Sequence, residues 1–291
     1  MQTYEAYLRM VEAHLEQELR SLGIIPERIL EPMTYSLSAG GKRVRPVMLL
    51  AACDMAGGDL ERAIPFACAL EMIHTYSLIH DDLPAMDDDD ERRGRPSCHI
   101  AFTEGLAVLA GDGLLSAACE IMLREAVLHP DGRASAAAYA VIRRAGVTGM
   151  VGGQTVDVTM EGQPVEACTV RYIHLHKTAD LLTAPMEAGL ILAGASPQQV
   201  RSGIDFGQYL GLAFQMMDDL LDVEGDAAVM GKKTGLDAQA GKQTWVELRG
   251  IEGTREDLQR VTGEAVEALD IFGEQGNFFR DLAQNMLHRV K

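Results

Sequence analysis

The sequence predicts an all-α protein, and three observations carry that expectation. Apolar residues recur at helical spacing through most of the 291 residues, and the breaks fall at Gly or Pro. Aromatics make up only 5 % of the chain while apolar residues reach 47 %, with Ala, Leu and Met prominent, which suits helices packed by aliphatic side chains. Connections between the breaks are mostly short, as in a helical bundle.

Taken in order, MQTYEAYLRMVEAHLEQEL is an amphipathic, acidic helix that lacks the basic start and apolar core of a signal peptide. Gly23 to Pro26 ends it. Gly40-Gly41 and Gly57-Gly58 bracket a helix built on VMLLAA, and the next helix runs through LEMIHTYSLIH into an acidic stretch. Further breaks at Pro130 to Gly132, Gly194 to Pro197 and Gly225 to Gly241 give about ten helices. Residues 155–171 hold enough Val and Thr to pass for a strand, but Gly162 to Pro164 reads as a turn between helices. The glycine-rich, lysine-bearing segment Gly225 to Gly241 reads as a lid over an anionic ligand. Neither an internal repeat nor a low-complexity linker divides the chain, so a single domain over 1–291 is expected.

A net charge of −17 excludes a general nucleic-acid binder, which needs a broad basic surface. Five widely spaced cysteines without a C-x-x-C pair read as reduced core thiols in a cytoplasmic protein. With no uncharged apolar stretch long enough to span a bilayer, no stable membrane insertion is expected.

Two acidic clusters stand out. In FQMMDDLLD, Asp218 and Asp222 lie four residues apart, about 40° around a helix, and Asp219 adds a carboxylate on the flank. In LIHDDLPAMDDDDERRG, Asp81 and Asp82 are followed by Asp87, roughly 240° around a regular helix from Asp81. Pro84 predicts a bulge or kink in that helix, with two residues of Leu-Pro-Ala-Met looped out so that Asp87 stands where an i+4 residue would. Asp88, at i+7, is the alternative.

Such carboxylates repel one another unless protons or metal ions neutralise them, and oxygen-only ligands suit Mg²⁺. An isolated acidic run is more often a solvated face. Here both clusters abut apolar helical sequence, and both are followed by cations, Arg92-Arg93 and Lys232-Lys233. Metals that bridge and cations that clamp describe a polyphosphate site. The basic island GGKRVRP adds Lys42, Arg43 and Arg45 at a helix start, where cations are unfavourable unless an anion sits there. His74 lies two turns before Asp81 on roughly the same helix face, whereas His80 and His99 read as hydrogen-bonded scaffold.

These motifs, with GMVGGQTVD, IHLHKT and GKKTGLDAQAGKQT in the same order, resemble the trans-type isoprenyl diphosphate synthases, bacterial farnesyl diphosphate synthases in particular. The resemblance covers nearly the whole chain. It implies a bundle around a central apolar cavity, two aspartate-rich motifs on opposing helices, and a substrate pair of isopentenyl diphosphate and an allylic diphosphate, dimethylallyl or geranyl. It also implies magnesium, about three ions with substrate bound, with Mn²⁺ as the substitute ion. A homodimer is implied as well.

Carried over by position, Asp81, Asp87 and Asp218 resemble direct metal ligands, supported by Asp82, Asp219 and Asp222. Arg92, Lys177 and Lys232 match the cations that hold the allylic diphosphate. Lys42, Arg45, His74 and Arg93 match the isopentenyl diphosphate pocket. Thr178 and Gln215 would face the carbocation with oxygen dipoles, and Lys242 would help close the lid. Ala179-Asp180 follows Lys177-Thr178 where the family commonly has glycine after the threonine.

Tyr76, five residues before Asp81, resembles the aromatic floor that stops chain growth at fifteen carbons. Small Ser77 beside it keeps geranylgeranyl diphosphate as the alternative product. A terpene cyclase would not need a second diphosphate pocket, and a silent partner subunit would be expected to lose one acidic motif. A di-iron bundle would need Glu-x-x-His pairs.

Overall fold

The computed structural model describes residues 1–163, 165–224 and 244–286, and these are overwhelmingly α-helical, as expected. They fall into two compact units, one of residues 1–142 and 188–195, the other of residues 143–187 and 196–291.

The first unit holds α1 (Tyr4–Arg20), α2 (Glu27–Leu37), α3 (Val44–Met55), α4 (Leu60–Asp81), α5 (Cys98–Ala101), α6 (Glu104–Leu128) and most of α7 (Arg133–Ala145). Helix α1 starts where the Thr3 side chain accepts a bond from the Ala6 amide, and it buries Tyr7, Val11, Leu15 and Leu19 at four-residue spacing. Helix α4 starts on Asp59, whose side chain accepts from the Glu61 amide, and is buried along most of its length. By length and composition alone α6 could cross a membrane, but it buries Ala107, Ala110, Leu114, Ala118 and Ile121 in the core of this unit.

Two features here differ from the sequence reading. Helix α4 does not continue past Pro84 with a bulge; it ends at Asp81, with Asp82 as its C-cap. Pro84 lies in the turns that follow, where its missing amide costs no ladder bond. The chain then forms a two-stranded hairpin, Glu91–Arg92 (β1) against Arg95–Pro96 (β2). Its turn residues Arg93 and Gly94 both have positive φ, 56° and 72°, as a two-residue turn matched to strand twist demands. An Arg-Gly pair is a weaker hairpin signal than Asn-Gly, so the acidic and basic run hid it.

The second unit holds α8 (Met150–Met160), α9 (Ala167–Ile173), a π-helical turn (His174–Ala179), the first part of α10 (Asp180–Ala193), α11 (Pro197–Glu224), α12 (Trp245–Ala268) and α13 (Asn277–Met286). Its core sets Leu212, Met216 and Leu220 of α11 against Val246, Leu258 and Val261 of α12. The chain turns between α8 and α9 at Gly162, whose φ is 70°. Pro164 and the segment Gly225 to Gly241 lie outside the described residues, and so do Lys232 and Lys242.

Candidate active site

In the first unit the site residues collect at the start of α3, the last two turns of α4 and the hairpin. The backbone of GGKR is bent back on itself, with φ of 79° at Gly40, 118° at Gly41 and 49° at Arg43, the N-cap of α3. This reversal turns Arg43 inward. Its Nη1 donates to Glu71 Oε1 at 2.7 Å, its Nε to Glu12 Oε1 at 2.8 Å, and Nη2 to the Leu37 carbonyl. Burial works against its charge, but Glu71 and Glu12 outweigh burial and hold its pKa above the ordinary arginine value. Arg43 is therefore an internal strut, and the island of cations at the helix start is smaller than the sequence suggests.

Arg45, two residues on, is built differently. Its Nη1 lies 3.3 Å from His74 Nε2, and its Nε is shielded from solvent without a hydrogen-bond partner. Burial, helped by Arg93 and opposed by Glu71, pushes its pKa down to about 10. A guanidinium can only donate, so His74 Nε2 accepts and the ring proton sits on Nδ1. Burial, then the charges of Arg45 and Arg93, hold the His74 pKa well below its ordinary value, and the ring is neutral.

The Arg93 guanidinium lies over Gly41, where an added Cβ would meet its Cζ at 2.6 Å, and it donates to the Gly40 carbonyl. A glycine is thus required for this approach. Burial together with Arg43 and Arg92 lowers the Arg93 pKa. Arg45, Arg93 and His74 form a donor-rich cluster with an orphaned buried donor. Its nearby carboxylate, Glu71, already carries Arg43, so the cluster fits an anion. Lys42 is exposed at its edge, and its carbonyl accepts from the Tyr4 hydroxyl.

At the end of α4 the Asp87 amide donates to the Asp81 carbonyl at 2.9 Å, a bond an i+4 residue would make in a continuing helix. Asp87 is thereby carried back over the last turn of α4, while Asp88 follows with φ of 53°. Asp82 is buried and accepts from Arg92 Nε at 2.9 Å, and Arg92 also reaches Asp89 at 3.0 Å. Burial raises the Asp82 pKa against the pull of Arg92. Tyr76, 7 % exposed, stands one turn before His80 with its ring edge-on to the imidazole at 5.7 Å. Burial, with Asp81 nearby, pushes its hydroxyl pKa up to about 12, so it stays neutral. The Ser77 hydroxyl is turned back onto its own helix, donating to the His74 carbonyl at 2.9 Å.

In the second unit the π-helical turn is seated between glycines. A Cβ on Gly153 of α8 would meet the Lys177 amide nitrogen at 2.2 Å, and one on Gly211 of α11 would meet the Ala179 Cβ at 2.3 Å. Gly211 makes the room that Ala179 takes up at the end of this π-helical turn. The turn displays Lys177, whose Nζ pairs with Asp157 Oδ2 at 2.5 Å, and Thr178, whose hydroxyl donates to Gln215 Oε1 at 3.0 Å.

Gln215 Nε2 in turn donates to Asp219 Oδ1 at 3.0 Å, and the Trp245 amide donates to Asp219 Oδ2 at 2.7 Å. His174 Nε2 lies 3.6 Å from the same oxygen, and its ring is tilted against the Trp245 indole. Burial raises the Asp219 pKa to about 6 despite these bonds. Asp218 and Asp222 remain half-buried on α11. Asp157, His174 and Trp245 were not singled out from the sequence. Asp157 and His174 had a signal, as the last letter of GMVGGQTVD and the first histidine of IHLHKT, and Trp245 had none.

Among the described residues, no three or more His, Cys, Asp or Glu side chains converge on a ready-made metal centre. The aspartate sets are oxygen donors and fit hard cations that take their remaining ligands from substrate oxygens and water.

Comparison with known proteins accords with this chemistry. Residues 26–270 match the polyprenyl synthetase family. A geranylgeranyl diphosphate synthase of Cyanophora paradoxa is 43 % identical over 248 residues, covering 85 % of this chain and 83 % of that protein. A farnesyl diphosphate synthase of Geobacillus stearothermophilus is 43 % identical over 235 residues, covering 80 % of this chain and 79 % of that protein. The solved structure of a geranyltransferase from Legionella pneumophila superposes with a TM-score of 0.88 at 34 % identity, covering 99 % of this chain and 96 % of the other. The chain belongs to the polyprenyl synthetase family and is a prenyltransferase of the trans-isoprenyl diphosphate synthase type.

Proposed function

We propose that this prenyltransferase condenses isopentenyl diphosphate with dimethylallyl and geranyl diphosphates, head to tail, to give (2E,6E)-farnesyl diphosphate. The observation that carries the reading is the Arg45, Arg93 and His74 cluster, whose buried Arg45 Nε lacks a partner in the unit that also bears Arg92 and the Asp81 to Asp87 turn. An anion pocket beside a carboxylate cluster and a second cation is what two diphosphate substrates require.

In this reading Lys42, Arg45, His74 and Arg93 hold isopentenyl diphosphate, Arg92, Lys177 and Lys232 hold the allylic diphosphate, and Lys242 helps close the lid. Asp81, Asp87 and Asp218 hold magnesium directly, and Asp82, Asp219 and Asp222 support them. Bound Mg²⁺, or Mn²⁺ in its place, would neutralise the negative charge that develops on the departing oxygen. The allylic C–O bond breaks and its electron pair leaves with diphosphate. The isopentenyl double bond attacks the cation, and the released diphosphate takes the proton lost as the new double bond forms. Thr178 and Gln215 face the cation with their oxygen dipoles.

Tyr76 is the floor that stops growth at fifteen carbons. Ser77 beside it, and the similarity to a geranylgeranyl diphosphate synthase, favour the twenty-carbon product as the second reading. A single domain over 1–291 is part of the proposal, supported by a family match that runs through segments of both units. A cytoplasmic homodimer is proposed as well, the compartment on the strength of five free thiols, of which Cys53, Cys68 and Cys98 are core residues while Cys119 is half-buried and Cys168, on the short helix α9, is exposed. The test is a product assay on the purified chain with Mg²⁺. Mainly twenty-carbon product overturns the farnesyl assignment, and Tyr76→Ala is expected to lengthen the product.

A further inference from the structure

Tyr76 can stop a growing chain only if its ring holds still, and a tyrosine at the edge of an apolar channel has an alternative rotamer to swing into unless something fills that space. The ring packed against Tyr76 is that of His80. The two rings stand one helical turn apart on α4 in an edge-to-face contact, centroids 5.7 Å apart with 76° between their planes. His80 is itself pinned. Its Nε2 lies 3.1 Å from the Val108 carbonyl of α6, so that nitrogen carries the proton and donates.

The imidazole also occupies the notch left by Gly111. A Cβ at that position would meet His80 Nε2 at 2.1 Å and Cδ2 at 2.5 Å, so only glycine lets α6 close over the ring. Val108 and Gly111, one turn apart on α6, therefore fix the imidazole, and the imidazole backs the phenol ring. His80 has a second neighbour in the motif, Asp81, but its side chain is directed to α6 and to Tyr76.

We propose that His80 is a positioning residue for product length: held by the Val108 carbonyl and the Gly111 notch, it braces Tyr76 in the conformation that stops chain growth. The inference rests on the assignment of Tyr76 as the floor. It places part of the length determinant on α6, at residues that need not touch the growing chain.

The experiment compares Tyr76→Ala, His80→Ala, the double variant and Gly111→Ala. Each is incubated with isopentenyl and geranyl diphosphates and Mg²⁺, and the chain lengths are measured by mass spectrometry. Folding is checked by circular dichroism and thermal melting. Removing one edge-to-face contact should raise the ratio of twenty-carbon to fifteen-carbon product about threefold to tenfold in His80→Ala, although Tyr76 is intact. Gly111→Ala, which displaces the imidazole without altering it, should move the ratio in the same direction.

The double variant should give the distribution of Tyr76→Ala alone, because both changes act through one ring. A loss of general stability would lower turnover without changing product length. If Tyr76→Ala lengthens the product while folded His80→Ala keeps the parent distribution, the bracing role is overturned and the floor stands. Additive shifts in the double variant overturn it too. If Tyr76→Ala leaves product length unchanged, the floor assignment itself fails.

Discussion

Replacing Glu71 by glutamine separates the structural cation of GGKRVRP from those proposed to bind substrate. Arg43 and Glu71 side chains are each 1 % exposed and meet at 2.7 Å, whereas the second partner of Arg43, Glu12, is 49 % exposed. Glutamine keeps the shape and one hydrogen bond but removes the charge that balances a buried guanidinium. Breaking a buried pair by removing one partner costs about 3–5 kcal/mol, and the retained bond to Glu12 places Glu71→Gln near the lower end, about 3 kcal/mol. For a domain of this size that is a melting temperature lower by about 6–12 °C.

Equilibrium unfolding in urea, with the midpoint and slope fitted together, measures the loss directly. Lys42→Ala is the companion, since Lys42 is exposed. It should stay within about 0.5 kcal/mol of the parent in stability while raising KM for isopentenyl diphosphate. A Glu71→Gln protein as stable as the parent would refute the strut assignment. So would an Arg43→Met protein that keeps its stability and loses only isopentenyl diphosphate affinity.

Asp82→Asn should weaken the hold on Arg92, which keeps only exposed Asp89, and lower kcat/KM for the allylic diphosphate about tenfold or more; steady-state kinetics with each substrate varied in turn tests this, and an equal loss for both substrates would count against it. Removal of divalent metal by EDTA should abolish turnover yet leave the melting temperature within about 1 °C, because the described residues include no structural metal centre. His74 gives a pH signature. Its folded pKa lies below the ordinary 6.5, so between the two values the unfolded chain binds a proton that the folded chain does not. Stability from this group is therefore complete above 6.5 and falls as pH drops through that window. Urea midpoints at about pH 5 and about pH 7.5 should differ less in His74→Asn than in the parent; equal differences would show that His74 is not the group responsible.

Much of this was legible in the sequence because it is periodic or local. The core face of α1, Tyr7, Val11, Leu15 and Leu19, is a four-residue repeat that any helix would bury. The cations of GGKRVRP and the aspartates of both motifs could be seen as letters. What could not be seen is direction. Arg43 and Arg45 differ by two positions, yet a left-handed backbone at Arg43 sends its side chain toward Glu71, 28 residues away, and leaves Arg45 beside His74. The role of Pro84 was half legible: the bond from Asp87 to Asp81 is there, but it closes a turn beyond a finished helix and does not bridge a bulge within one. The roles of His174, although it lies within IHLHKT, and of Trp245 could not be read locally, since their contacts with Asp219 are made only when α11, α12 and the π-helical turn pack together.

Both aspartate doublets divide in the same way, and helical geometry explains why. Adjacent residues on a helix point about 100° apart, so of two neighbouring acids at the edge of a buried face one faces inward when the other faces out. Asp82 and Asp219 are the inward members, each 2 % exposed, while Asp81 and Asp218 are only half-buried. A buried carboxylate needs donors, and each has recruited them across the sequence: Asp82 holds Arg92, ten residues on, and Asp219 holds Gln215 and the Trp245 amide, 26 residues on. Through Gln215 the second set reaches Thr178. The inward acid of each doublet thus fixes a residue proposed to face substrate, and the outward acid is the member proposed to hold magnesium. Counting all six aspartates as equivalent metal ligands overlooks this division, which follows from burial and not from charge.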